Sequence, residues 1–145
     1  MGLKDSFIQK VFFLDTAPLI YYIEGQSNYK EKLIELFNAS HNGEIYFQTS
    51  ALTILEVLVQ PLRLKKLKLA KQYEEILTNS ANLVVFDIDI EISILAAKLR
   101  ANYNLKTPDS IQIATAIEKN ADFFLTNDKN LTRVNEIEIL TLDKI

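Results

Sequence analysis

Four acids stand where a carboxylate can do chemistry. Asp15 closes the apolar run VFFL, Asp128 follows FFLT after Asn127, Asp109 opens the stretch TPDSIQIATAIE, and Glu56 interrupts ALTILEVLVQ. Taken singly, each has an ordinary structural role open to it. Asp15 and Asp128 read equally as turn or capping residues after a buried strand. An acid in the first turn of a helix, as at Asp109, is favoured by the helix dipole by about 0.3 to 1 kcal/mol. Glu56 lies in a segment apolar on every face of the helix it implies, beside Leu52, Leu55 and Val59. Its carboxylate is therefore expected to be partly withdrawn from water, and must then be paired with a basic side chain, protonated or bound to a cation.

If the four acids converge, electrostatics decides between these roles. Two unit charges about 4 Å apart at an effective dielectric near 20 repel by roughly 4 kcal/mol, several times the approximately 1.4 kcal/mol of one pKa unit. Four carboxylates so placed need cations. Hard oxygen donors with no His or Cys beside them point to Mg²⁺ or Mn²⁺ and away from zinc. Such a centre polarises phosphate oxygens and activates water. The convergence itself is an expectation that one sequence does not show.

The elements that must position these acids can be read from the apolar pattern. Strands are expected near 11–14, 44–48, 83–87, 122–126 and 137–141, rich in β-branched and aromatic residues and apolar enough to be buried on both faces. Helical spacing runs through Tyr29, Leu33, Leu36 and Phe37, through Leu69, Tyr73, Ile76 and Leu77, and through Ile92, Leu95, Ala96, Leu99 and Tyr103. Thr16 and Pro18 mark a helix start after Asp15, and Thr107 and Pro108 mark another, with Thr107 as N-cap. Alternating strands and helices predict an α/β fold with a mostly parallel sheet, whose ligands sit outside the carboxyl ends of the strands.

The bulk composition sets limits on partners. A chain of 145 residues, 48% apolar and 24% charged with three Gly and three Pro, is expected to form a single globular domain over 1–145. It has no Cys, which removes disulfides and thiol nucleophiles and is compatible with a reducing cytoplasm. The apolar run after MGLKDSFIQK stops at Asp15, too short for a membrane span or a signal peptide. A net charge of −3 argues against holding nucleic acid by bulk electrostatics, so such contact needs a local basic patch or bound cations. The one dense basic run, Arg63, Lys65, Lys66, Lys68 and Lys71, is either a solvated helix face or a guide for an RNA backbone toward the acids.

Three further features have structural readings. Asp87 and Asp89 have the look of a haloacid-dehalogenase phosphatase pair, but that family expects Thr or Val where this chain has Glu91 and places the motif on its first strand. Asp89 is therefore expected to cap the helix running to Tyr103, and Asp87 to end a strand. His41 has no second His or Cys near it and reads as a surface residue. Tyr21 and Tyr22 can stack on a base, but beside Leu19, Ile20 and Ile23 they are expected to pack or to form a dimer contact.

The order FFLDT, SALTILEVLVQP, KTPDSIQIATAIEKNADFFLTNDKNL resembles the PIN-domain nucleases, and within them the VapC-like toxins of prokaryotic toxin–antitoxin pairs. The likeness runs from about residue 11 to about 141. Asp15, Glu56 behind Ser50, Asp109 and Asp128 behind Thr126 match the family's acids. The resemblance implies a three-layer α/β/α fold and a Mg²⁺- or Mn²⁺-dependent endoribonuclease. It also implies a homodimer and inhibition by a small VapB-like antitoxin. On it, Asp15, Glu56 and Asp109 bind metal and Asp128 completes the pocket or holds a second ion. Ser50 and Thr126 act as supporting donors, and Thr16 approaches a phosphate. Two alternatives from the same resemblance are a catalytically inactive RNA-binding or scaffold module and an RNA-processing nuclease without an antitoxin. The family often has Asn or another small polar residue two places after the first acid; here Ala17 stands there, removing a supporting hydrogen bond.

Overall fold

A computed structural model describes residues 2–145. Strands β1 (Val11–Leu14), β2 (Tyr46–Ser50), β3 (Leu83–Phe86), β4 (Phe123–Thr126) and β5 (Glu138–Thr141) form one sheet in the order β3-β2-β1-β4-β5, with every pairing parallel. Between them run α1 (Thr16–Glu24), α2 (Lys30–His41), α3 (Ala51–Arg63), α4 (Leu67–Asn79), α5 (Ile90–Tyr103) and α6 (Thr107–Glu118). No helix is long and apolar enough to cross a membrane among the described residues.

The layers follow from the alternation of side chains along the strands. Phe12 and Leu14 of β1, Phe47 of β2, and Phe123 and Leu125 of β4 point to one face, where they pack against Leu33, Leu36 and Ala39 of α2. The same face continues outward through Leu19 of α1, Val57 of α3, and Tyr73 and Leu77 of α4. Phe13 and Phe124 point the other way, into Ile92, Ala96 and Leu99 of α5 and Ile113 and Ala114 of α6. The expected α/β/α sandwich is thus present, with α1 to α4 on one side and α5 and α6 on the other.

The two central strands carry the same triplet. Phe12-Phe13-Leu14 pairs residue for residue with Phe123-Phe124-Leu125. Phe13 and Phe124 stack with ring centroids 5.4 Å apart, and Phe12 lies 5.0 Å from Phe123 on the opposite face. Aromatic pairs of this kind add roughly 0.5 to 1.5 kcal/mol beyond their burial.

Beyond one-residue shifts at an end of β3, β4 and β5, the structure departs from the sequence reading in four places. β2 spans 46–50 and not 44–48, because Glu44 is used in the turn: its N–H donates to Ala39 O at 2.9 Å and its carbonyl accepts from Gln9 N at 2.6 Å. Burial on both faces holds for β1, β2 and β4 but not for the edge strands, where Val84 of β3 is 50% exposed. Helix α3 is not buried all round: Thr53, Val57 and Pro61 face inward, while Leu55 and Val59 are exposed. Finally, α6 begins one residue earlier than expected, with Lys106 as N-cap and Thr107 inside the first turn. Asp89 does cap α5, accepting from Ile92 N at 2.9 Å.

Candidate active site

The chain leaves β1 toward β2 on one side and later returns to β4 on the other, so a crevice opens at the carboxyl end of the central strand. Asp15 stands at its floor. It is the residue after β1 and the N-cap of α1, accepting from Thr16 N at 2.9 Å through Oδ1. Its Oδ2 accepts from the hydroxyl of Thr126, the last residue of β4, at 2.7 Å. That same Thr126 oxygen accepts from Asp128 N at 3.1 Å. Asp128 then caps the 3-10 turn at Lys129–Arg133 by accepting from Asn130 N at 2.9 Å.

Glu56 comes in from α3. Thr16 donates its hydroxyl to Glu56 Oε1 at 2.6 Å, so this one residue supports two acids, Asp15 with its amide and Glu56 with its side chain. Asp109 projects from the first turn of α6. The four acids share one field. Burial pushes the Asp15 carboxyl up from 3.8 to about 6, against the lowering pull of the Thr126 and Thr16 hydrogen bonds, and the charges of Asp109 and Glu56 raise it further. Burial likewise raises Asp109, followed by the charge of Asp128; Lys106 counters part of this and Glu56 adds to it.

The side chains share the crevice without meeting at a point. Among the described residues, no three His, Cys, Asp or Glu side chains lie close enough together to hold one ion. The reason is visible in the hydrogen bonds: both oxygens of Asp15, Oε1 of Glu56 and Oδ1 of Asp128 are turned onto hydroxyl or amide donors. Carboxylates that repel one another spread onto whatever donors are in reach. In chemistry the set suits a hard cation, being all oxygen and electrostatically strained.

The remaining sequence candidates fall into place less evenly. Ser50 is fully buried, caps α3 by accepting from Leu52 N at 3.2 Å, and donates to Gln112 Oε1 at 2.5 Å. It therefore faces the interior of the protein and not a substrate. The hydroxyl of Thr16 is committed to Glu56 and not directed at an open phosphate position. Arg63, Lys65, Lys66 and Lys68 are exposed; Arg63, the last residue of α3, lies roughly two turns and about 10 Å along the axis from Glu56, and Lys68 belongs to α4. Tyr22 stacks on Phe37 at 3.7 Å, and the Tyr21 hydroxyl accepts from Asn127 Nδ2 at 3.0 Å, so both are packed residues. His41 is exposed at the end of α2.

Sequence reasoning missed Gln112, Thr49 and Thr53, all buried polar residues beside the acids. The available signal was spacing: Gln112 follows Asp109 by one helical turn, and Thr53 precedes Glu56 by one.

A parallel α/β/α domain with four coupled acids around its central crevice defines the class. The PIN domain family matches residues 12–137, and the chain belongs to that family. Comparison with curated protein sequences finds no match. Solved structures share the fold. VapBC2 of Rickettsia felis, bound to a promoter DNA fragment, has a TM-score of 0.71 at 18% identity, covering 90% of this chain and 98% of that one. A toxin–antitoxin complex from Klebsiella pneumoniae scores 0.68 at 22% identity, covering 92% and 98%. VapC20 of Mycobacterium tuberculosis, described as a sarcin–ricin loop cleaving toxin, scores 0.67 at 13% identity, covering 88% and 98%.

Proposed function

We propose that this chain is a Mg²⁺- or Mn²⁺-dependent endoribonuclease, one nuclease domain over residues 1–145, and the toxin of a VapBC-type pair. The observation that carries the reading is the mutual repulsion of Asp15, Glu56, Asp109 and Asp128 in one crevice, strong enough to join burial in raising Asp15 and Asp109. Membership of the PIN family supports nuclease chemistry. Fold likeness to toxin–antitoxin complexes supports a VapB-like antitoxin as partner, and likeness to a loop-cleaving toxin supports RNA as substrate. A homodimer and a cytoplasmic setting complete the proposal.

Asp15, Glu56 and Asp109 would hold the ion, with Asp128 completing the pocket or holding a second one. When bound, the cation polarises the scissile phosphate and supplies an activated water. The chain's own groups do the rest. Thr126 and Thr16 fix the carboxylates of Asp15 and Glu56 in orientation. Asp109, whose carboxyl is raised by burial and by the charge of Asp128, orients the attacking water and accepts its proton at a carboxylate oxygen. Arg63, Lys65, Lys66 and Lys68 remain exposed for phosphates further along the strand, which would make binding salt-dependent.

A second reading, a PIN-like module that binds RNA without cutting it, draws on the lack of any three acids gathered at ion-holding distance among the described residues. Incubating the purified protein with a mixed RNA pool in Mg²⁺, Mn²⁺ or chelator separates the two. Cleavage that needs the cation is expected; RNA left intact under every condition would hand the site to the second reading. Cutting without a co-encoded partner to inhibit it would favour an RNA-processing nuclease.

A further inference from the structure

Beneath the acids lies a chain of polar side chains with no access to solvent. Gln112 of α6, with Thr49 and Ser50 of β2 and Thr53 of α3, is essentially fully buried. Gln112 Oε1 accepts from Ser50 Oγ at 2.5 Å and its Nε2 donates to Thr53 Oγ1 at 2.7 Å. Thr53 and Thr49 hydroxyls lie 2.7 Å apart, and Thr49 donates to the carbonyl of Leu14 at 2.8 Å.

Proton counting fixes every direction in this chain. A hydroxyl has one proton to give. Thr49 spends its proton on Leu14, so Thr53 must donate to Thr49, and Thr53 can then accept from Gln112 only if the amide nitrogen faces it. Turning the amide over would leave Thr53 with two acceptors and one proton, and two bare oxygens 2.7 Å apart. Only one arrangement satisfies all four side chains. Three members of the chain lie next to an acid in sequence: Asp109 is one turn before Gln112, Glu56 one turn after Thr53, and Asp15 directly follows Leu14.

We propose that Gln112 is a positioning residue for the candidate metal centre: its amide locks α6 to the start of α3 and, through Thr53 and Thr49, to the end of β1. It thereby sets the spacing of Asp109, Glu56 and Asp15. The proposal rests on the cation-binding reading given above. It differs from a general packing role because the molecule contains a control. Gln48 also ties α6 to the sheet, donating to Lys119 O at 2.9 Å, but at the far end of the helix.

The test uses the full chain, which has no Cys, with spin labels on introduced cysteines at the exposed positions Val59 of α3 and Glu118 of α6. Metal-free samples give the distance distribution between the helices, and unlabelled samples give Mn²⁺ affinity by titration. Gln112→Leu is expected to broaden the distribution and to weaken Mn²⁺ by about tenfold or more. Gln48→Leu is expected to leave Mn²⁺ binding within about twofold, since removal of a supporting partner matters only where it orients a ligand. Should Gln112→Leu not fold, Gln112→Glu keeps the shape and places an acceptor against Thr53, with the same loss expected. An unchanged distance distribution, or equal weakening by the two leucine variants, overturns the positioning role. A wild-type chain that binds no Mn²⁺ refutes the metal reading instead, and the distance distribution then decides the clamp alone.

Discussion

The crevice and the α3–α4 shoulder depart from the usual arrangement of polar and apolar residues in opposite senses. In the crevice, polar residues set in apolar runs are buried: Thr49, Ser50, Thr53, Gln112 and Thr126 are all at or below 1% exposure. On the shoulder, Leu55, Val59, Leu62, Leu64 and Leu67 stand open among Arg63, Lys65, Lys66 and Lys68, with Leu67 at 67%. Leaving a leucine in water forgoes a modest transfer gain, roughly 1.5 to 3 kcal/mol. Stranding a buried hydroxyl or amide costs about 1 to 3 kcal/mol per group and would multiply across a shared network. The structure accordingly pairs every buried side-chain polar atom beneath the acids and tolerates exposed apolar residues on the outer side of α3 and into α4. The one buried side-chain polar atom without a partner among the described residues, Gln48 Oε1, is remote from the acids' end of α6.

The contrast breaks first at Asp109. Asp109→Asn is expected to lower RNA cleavage by roughly 10² to 10⁴-fold, the range for loss of a proton-accepting group, with little change in the melting temperature. Full activity in that variant would remove the crevice from the chemistry.

Asp15 sharpens the comparison through pH. Its folded pKa of about 6 lies above its ordinary 3.8, so the stability it contributes is complete below about pH 4 and is lost as pH rises through 6. At about 1.4 kcal/mol per pKa unit the loss is on the order of 2 to 3 kcal/mol near neutral pH. Denaturant melts in chelator should therefore show Asp15→Asn gaining on the wild type as pH rises from 4 to 8. A flat difference across that window would mean that the carboxylate is not strained.

The smallest effect belongs to the shoulder. Leu67→Ser should move unfolding free energy by no more than about 0.5 kcal/mol, as surface substitutions do. A loss of several times that in the isolated chain would show that the shoulder is part of the core after all.

Much of the frame was legible from local pattern alone. β1 and the order of strands and helices could be read because a strand in the middle of a parallel sheet is apolar on both faces, and Asp15 stood out because it ends such a run. The edge strands β3 and β5 were placed to within one residue, but their burial was not legible, since they are covered on fewer sides than their apolar runs imply. Helix α3 misled for a related reason: apolar residues all round a helix do not say which are covered. The spacing from Asp109 could have flagged Gln112, but its role was hidden for a different cause. Its partners are 62 and 59 residues away in sequence, and nothing local in SIQIATA says that one polar side chain is committed on both of its ends.

The repeated triplet of the central strands has a consequence for how the protein finds its native pairing. Phe-Phe-Leu beside Phe-Phe-Leu is matched in the native alignment. A shift by one would still bring aromatic rings together while turning every side chain to the other face. The aromatic pairs are therefore a poor ruler by themselves. Past their last rung, the Thr126 hydroxyl reaches Asp15 only in the native alignment. The acid at the floor of the crevice thus also works as an end-stop, telling the two most similar strands in the molecule how far to slide.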